Sequence, residues 1–260
     1  MNKWIEYSVQ YANQRSYLDD LYRVYPTQPS GLRDIDSDLW GIVEEAFRTE
    51  NKELLIRTLL QLDLFPIKDS YVAYLKRDPS AISRNHQTVN RLWGRLCELG
   101  LDKIWEACSQ PKETNRQIGP MFKDWVKRGC LGVKPLPFEA FIASKENAIL
   151  DASDAFMGEF AREELRYNRD KGLDFLARFN GKYVIGEAKF LTDHGGHQNA
   201  QFEDAISTFT LKGSDVVSIG ILDGVVYIPG RNKLYRSVTE KYRDCNIMSA
   251  LVLREFLYQI

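Results

Sequence analysis

The sequence predicts an α/β fold, with a helix, strand, strand, helix, strand core in its C-terminal half and a mainly helical N-terminal region. Three observations predict it. Asn180-Gly181 separates two runs that alternate like β-strands, helix-period segments lie on either side of that pair, and the first 135 residues carry apolar positions at helical spacing between Pro and Gly breaks.

In chain order, "DSDLWGIVEEAFRT" opens with Asp and Ser as capping candidates, and "NKELLIRTLLQLDLF" keeps its apolar residues at helical spacing until Pro66. "NHQTVNRLWGRLCELG" stops at Gly100, a residue suited to a helix C-terminus. Turns are expected around Pro29-Gly31, Pro79, Pro111–Asn115 and Gly129–Pro137. A soft boundary near Lys134–Pro137 divides a helical region, 1–135, from a core, 136–260, although the two can also fold back into one domain. The tryptophans, including Trp40, Trp93, Trp105 and Trp125, fall among Leu and Ile at helical positions and read as core.

The core begins with "DASDAFMGEFAREELRY", an amphipathic helix with Ala155, Phe156, Phe160 and Leu165 near one face. The hairpin follows. Asn-Gly is the preferred pair for a two-residue type I′ loop, because both central residues need φ > 0. Phe179 then faces Lys182, Arg178 faces Tyr183, and continuing outward Asp174 faces Glu187. After it come a Gly-containing loop, a helix from about Gln198 to Leu211 closing at Gly213, and two β-branched runs, "DVVSIGIL" and "VVYIP", broken at Asp223-Gly224.

That register brings two carboxylates together on one sheet face, with Cβ atoms about 4.5–5.5 Å apart. Period-2 alternation puts Lys189 on the same face, with Leu176 and Ile185; the other face carries Leu173, Phe175, Ala177, Phe179, Val184, Ala188 and Phe190. Opposed like charges on a partly buried sheet are unfavourable unless a cation lies between them. Lys189 can be that cation, or a metal can: Mg²⁺ is usually held by one or two carboxylates, waters and a phosphate. The plainer reading is an Asp–Lys–Glu ion network at a sheet edge, which is weakly motivated because buried ion triads cost in desolvation about what they gain.

Gly172-Leu173-Asp174, a hairpin, then Glu187-Ala188-Lys189 resembles the signature of the PD-(D/E)XK nucleases, and the element order over 151–230 is similar to their αββαβ core with a mixed central sheet. The Pro of the signature is absent here. "KYVIGEAKFLTDHGGHQNAQ", "FPIKDSYVAYL" and "NRQIGPMF" also resemble bacterial type II restriction endonucleases. The resemblance implies a restriction-endonuclease-like core and Mg²⁺-dependent, sequence-specific hydrolysis of double-stranded DNA leaving 5′-phosphates. Asp174 and Glu187 would be metal ligands with the Ala188 carbonyl, and Lys189 would be the third catalytic residue. It further implies a homodimer in the cytoplasm, with the helical region serving recognition or dimerisation. A repair or structure-specific nuclease of the same superfamily, or a catalytically silent DNA-binding protein on this scaffold, are the alternatives.

Other polar residues are candidates around this centre. Glu159 and Glu163, one helical turn apart, are candidates for a second metal or an outer shell of carboxylates. His194 and His197 flank Gly195-Gly196, a spacing that argues for a bent loop and a DNA contact over a zinc site. Gln198, Asn199 and Gln201, at a helix start, suit adenine or phosphate, with capping as the plainer role. Asn115-Arg116-Gln117 and Ser83–Gln87, on expected loops, are candidate base readers.

Composition permits this reading. A net charge of −1 gives no general attraction to nucleic acid, so binding must come from local patches. Residues 70–130 hold eleven Lys and Arg against six Asp and Glu, whereas 1–69 hold eight against twelve. Four cysteines without metal-site spacing suggest reduced thiols, and the lack of a signal segment or a long apolar run predicts neither export nor membrane insertion.

Overall fold

The computed structural model describes residues 1–260 except 15, 27–30, 111–113 and 208–215, and describes only the main chain at 114–117 and 197. Two compact units emerge, one of 1–27 with 114–260 and one of 28–113. In chain order, α1 (Lys3–Ala12) and α2 (Tyr17–Val24) come first. The second unit then holds α3 (Ser37–Arg48), α4 (Lys52–Leu59), α5 (Val72–Arg77), α6 (His86–Leu99) and α7 (Leu101–Cys108). Their caps are those the sequence suggests: the Asp36 carboxylate accepts from the Asp38 and Leu39 amides, and Gly100 ends α6 at φ 78°. Val43, Leu55, Leu59, Leu92, Leu96 and Ile104 form its core, with Trp40 edge-on to Trp105 at 4.7 Å.

The first unit resumes with α8 (Thr114–Lys127) and α9 (Phe138–Ala143), then β1 (Ala148–Ile149) and α10 (Asp154–Glu164). The hairpin strands β2 (Phe175–Phe179) and β3 (Lys182–Leu191) follow, then α11 (Gly196–Ile206), β4 (Val216–Gly224), α12 (Lys233–Arg236), β5 (Ile247–Met248) and α13 (Ala250–Gln259). The strands make a five-stranded mixed sheet in the order β1-β2-β3-β4-β5. β1, β2 and β3 pair antiparallel, while β4 runs parallel to β3 and β5 parallel to β4. Helix α10, the hairpin, α11 and β4 realise the expected αββαβ order.

The sheet unit begins before residue 136. Trp4, Tyr17, Leu21, Val24 and Tyr25, and Ile118, Phe122, Trp125 and Val126 of α8, bury against Phe175, Ala177, Phe179, Val184 and Ala188 in one cluster. Helical periodicity marks these apolar faces but does not say which partner covers them, so the compact units divide the chain elsewhere than at 135/136. On the opposite face, Met157, Phe160 and Ala161 of α10 cover Leu176 and Ile185, while Phe202, Ala205 and Ile206 of α11 cover Leu191 and Leu222.

Asn180 (φ 50°) and Gly181 (φ 77°) make the two-residue turn, and the ladder pairs Phe179 with Lys182 through Phe175 with Gly186. Two expectations differ. The Val225–Tyr227 run is a 3₁₀ turn, not a strand: Gly224 turns the chain at φ 88°, and burial of Val226 and Tyr227 outweighs their β preference. Leu173 packs with Leu176 and Ile185, because the chain reaches strand geometry only at Phe175. The expected end of α11 near Leu211 lies outside the described residues. Among the described residues no helix is long and apolar enough to cross a membrane. The four cysteines are free.

Candidate active site

The ladder stops at Phe175–Gly186, one pair short of Asp174 and Glu187, and the two carboxylates meet at Lys189. Asp174, just before β2, turns its carboxylate to the β3 main chain, where Oδ2 accepts from the Ala188 amide at 2.9 Å. Lys189 Nζ lies 3.1 Å from that oxygen and 2.9 Å from Glu187 Oε2. The three side chains occupy the α10–α11 face of the sheet, between the apolar patch around Ile185 and that around Leu191. Glu187 is 1 % exposed, and its Oε1 is buried with no hydrogen-bond partner.

Two charges outside the expected triad join the cluster. Lys171 Nζ donates to Glu187 Oε2 at 2.8 Å and to Asp204 Oδ2, on α11, at 2.5 Å. Tyr167, buried with its hydroxyl unpartnered, is held above its ordinary pKa by burial and by the nearby Glu187 and Asp204 charges. Burial, then the Asp174 charge, raises the Glu187 carboxyl against the pull of the two lysines. Burial opposes the Lys189 charge, but Asp174 and Glu187 together outweigh it and hold the ammonium above its usual range. At neutral pH Lys189 is therefore a fixed cation.

The main chain under the cluster is fixed by close packing. A Cβ on Gly158 would sit 2.4 Å from the Lys171 carbonyl oxygen, and one on Gly172 would sit 2.7 Å from Asp154, so the 171–173 segment lies directly on α10. The Leu173 amide donates to the Asp154 carbonyl at 3.0 Å, and Arg162 reaches the Lys171 carbonyl at 3.4 Å. The Leu173 N–H is therefore in use, which a proline at this position would not allow. Beside Asp174 runs a cleft lined by Phe122, Lys123, Val126 and Lys127 of α8, whose lysines pair with Asp154 and Asp151.

The remaining candidates are placed less centrally. Glu159 and Glu163 are exposed, and among the described contacts none joins them to the triad; Asp204 is a helix carboxylate joined to it through Lys171. Gln198 is buried and spends its amide on Thr192, accepting from its N–H at 3.2 Å and donating to its hydroxyl at 3.3 Å, so the cap of α11 is Gly195, not a side chain. His194 is exposed beside it; Asn199 is half-buried with Oδ1 unpartnered, and Gln201 is half-buried. Asn115, Arg116 and Gln117 lie in the first turn of α8, not in a loop, and their side chains, like that of His197, are outside the described residues. Arg84, Asn85 and His86 are engaged locally, with Asp78, the Ala81 carbonyl and Glu53.

Nothing in periodicity announces Lys171 or Asp204. Lys171 stands three residues before Asp174, which is a usable signal only once Asp174 is suspected. Asp204 meets it through the docking of α11 on the sheet.

A mixed sheet that carries two carboxylates and a lysine across a β2–β3 hairpin, flanked by α10 and α11, is a restriction-endonuclease-like arrangement. The family model described as Tsp45I type II restriction enzyme matches residues 2–260, so the chain belongs to the Tsp45I family of type II restriction endonucleases. No curated protein and no solved structure matches it.

Proposed function

We propose that Asp174, Glu187 and Lys189 form a PD-(D/E)XK centre that hydrolyses double-stranded DNA with Mg²⁺, leaving 5′-phosphates, at a short sequence read by a homodimer in the cytoplasm. The observation that carries this reading is the orphaned, fully buried Oε1 of Glu187 beside Asp174. A buried carboxylate oxygen without a donor is costly, and a hard cation relieves that cost. The donors are all oxygens, which suits Mg²⁺ and not zinc.

Asp174 and Glu187, with the Ala188 carbonyl, would hold the ion. When bound, it polarises a phosphate oxygen and lowers the pKa of water. The chain's own residues supply the rest. Lys189, kept charged by its two neighbours, faces the position where negative charge grows on the transferred phosphoryl group. The α10 packing pins the 171–173 segment that leads into Asp174. Lys123 and Lys127 line the same cleft as Asp174 and would reach a backbone phosphate by leaving Asp154 and Asp151. Arg231, Lys233, Arg236, Lys241 and Arg243 form a second basic stretch on a chain whose net charge is −1. Glu159 and Glu163 keep an outer role only if DNA rearranges α10. His194, Asn199, Gln201 and Asn115–Gln117 are proposed DNA contacts, and the helical region contributes recognition or dimerisation. A two-fold dimer suits a palindromic site.

Unmodified phage DNA incubated with the protein in Mg²⁺ tests this reading. Discrete fragments with 5′-phosphate ends, absent in EDTA, are expected. Intact DNA, or cleavage that persists in EDTA, would overturn it.

A further inference from the structure

The charge count of the cluster is unusual. Glu187 Oε2 takes ammonium groups from both Lys171 and Lys189, at 2.8 and 2.9 Å, while Oε1 of the same carboxylate has none. The two lysines differ in how they are held. Lys189 is wedged between Asp174 and Glu187 with 21 % of its side chain exposed. Lys171 is 32 % exposed and has a second acceptor, Asp204, 2.5 Å away and itself 38 % exposed. Its main chain is pinned on α10, but its four methylenes can swing.

A divalent cation arriving between Asp174 and Glu187 meets two ammoniums already on these carboxylates. Coulomb repulsion between like charges at contact distance is strong where water is partly excluded, so one of them must withdraw. Lys189 has nowhere to go without leaving both acids. Lys171 can leave Glu187 and keep Asp204.

We propose that Lys171 is a displaceable internal cation that holds Glu187 until a divalent metal takes its place, and that Asp204 is the residue that receives the released ammonium. Both are positioning residues. The proposal rests on reading Asp174 and Glu187 as the metal-binding pair. Its consequence is a metal affinity set by competition: Lys171 lowers it, and Asp204 raises it by offering Lys171 an alternative.

The test is calorimetric titration of Ca²⁺ into the EDTA-stripped, DNA-free full chain, comparing wild type with Lys171→Met, Asp204→Asn and the double variant, so that no activity is read. Lys171→Met should bind Ca²⁺ about tenfold more tightly, the scale of one contacting charged pair. Asp204→Asn should bind severalfold more weakly. In the Lys171→Met background, Asp204→Asn should change affinity by less than about twofold, because Asp204 acts through Lys171. Additive effects would mean that each residue contributes only its own charge, and would overturn the proposal; so would weaker binding by Lys171→Met. Lys171→Gln replaces the Met variant if its circular dichroism departs from wild type. Glu187→Gln separates the two readings. If wild type binds Ca²⁺ and Glu187→Gln does not, an additive cycle sinks only the Lys171 proposal. If wild type and Glu187→Gln behave alike, the metal-site reading fails with it.

Discussion

At the scale of residues, the site depends on which groups are paired and which are not. Asp174 has the Ala188 amide and Lys189, Glu187 has two ammoniums on one oxygen, and Leu173 gives its N–H to Asp154. The last pairing ties the segment before β2 to the start of α10. Leu173→Pro would delete that donor and a fully buried side chain, and urea denaturation should show a loss of roughly 2–4 kcal/mol; an unchanged midpoint would mean that the bond carries no stability. The Tyr167 hydroxyl is buried without a partner, so Tyr167→Phe should leave stability unchanged or raise it by up to about 1 kcal/mol in metal-free buffer. The clustering of Asp174, Glu187 and Lys189 is legible in the sequence because a two-residue turn fixes the register of the adjoining strands, and register fixes face. Lys171 and Asp204 were not, because their meeting depends on how a loop and a helix dock.

At the scale of elements, two glycines let α10 lie on the segment that carries Lys171 and Asp174. Gly158→Ala would place a methyl group 2.4 Å from a main-chain oxygen, and overpacking of this kind costs about 1–3 kcal/mol. Thermal denaturation should register that loss, together with a fall in cleavage as the segment shifts. A variant with wild-type stability would show that α10 can move away freely. The hairpin, α10 and the start of α11 were readable from turn chemistry and helical period. β1 and β5 have two residues each, too few for any alternation to show, and Val225–Tyr227 has strand composition while the fold needs it as a buried turn.

At the scale of the whole molecule, the sheet unit is closed by its own ends. Asp223, fully buried on β4, accepts hydrogen bonds from Tyr25 at 2.7 Å, from Ser249 at 2.5 Å and from the Ala250 amide at 3.2 Å, joining the segment after α2 to the start of α13. Burial pushes its carboxyl up to about 6 despite these donors. The folded state therefore favours the protonated form: the contribution is fully present below about pH 4 and is lost as pH rises through about 6. Relative to Asp223→Asn, wild-type stability should fall by roughly 2 kcal/mol between pH 4 and pH 7, as read by urea denaturation at each pH. A constant difference would mean that Asp223 keeps an ordinary carboxylate pKa. The N-terminal helices were predictable as helices, but their membership of the sheet unit was not, since amphipathic faces do not name their partners. If the charged face of this sheet does chemistry and not only binding, removing Lys189 must slow cleavage more than it weakens DNA binding. Single-turnover cleavage of a DNA containing the recognised site, by wild type and Lys189→Ala, tests it most directly when DNA affinity is measured in parallel with Ca²⁺. Cleavage should fall by about 10²–10³ with affinity changed by no more than a few-fold; undiminished cleavage by Lys189→Ala would contradict the account.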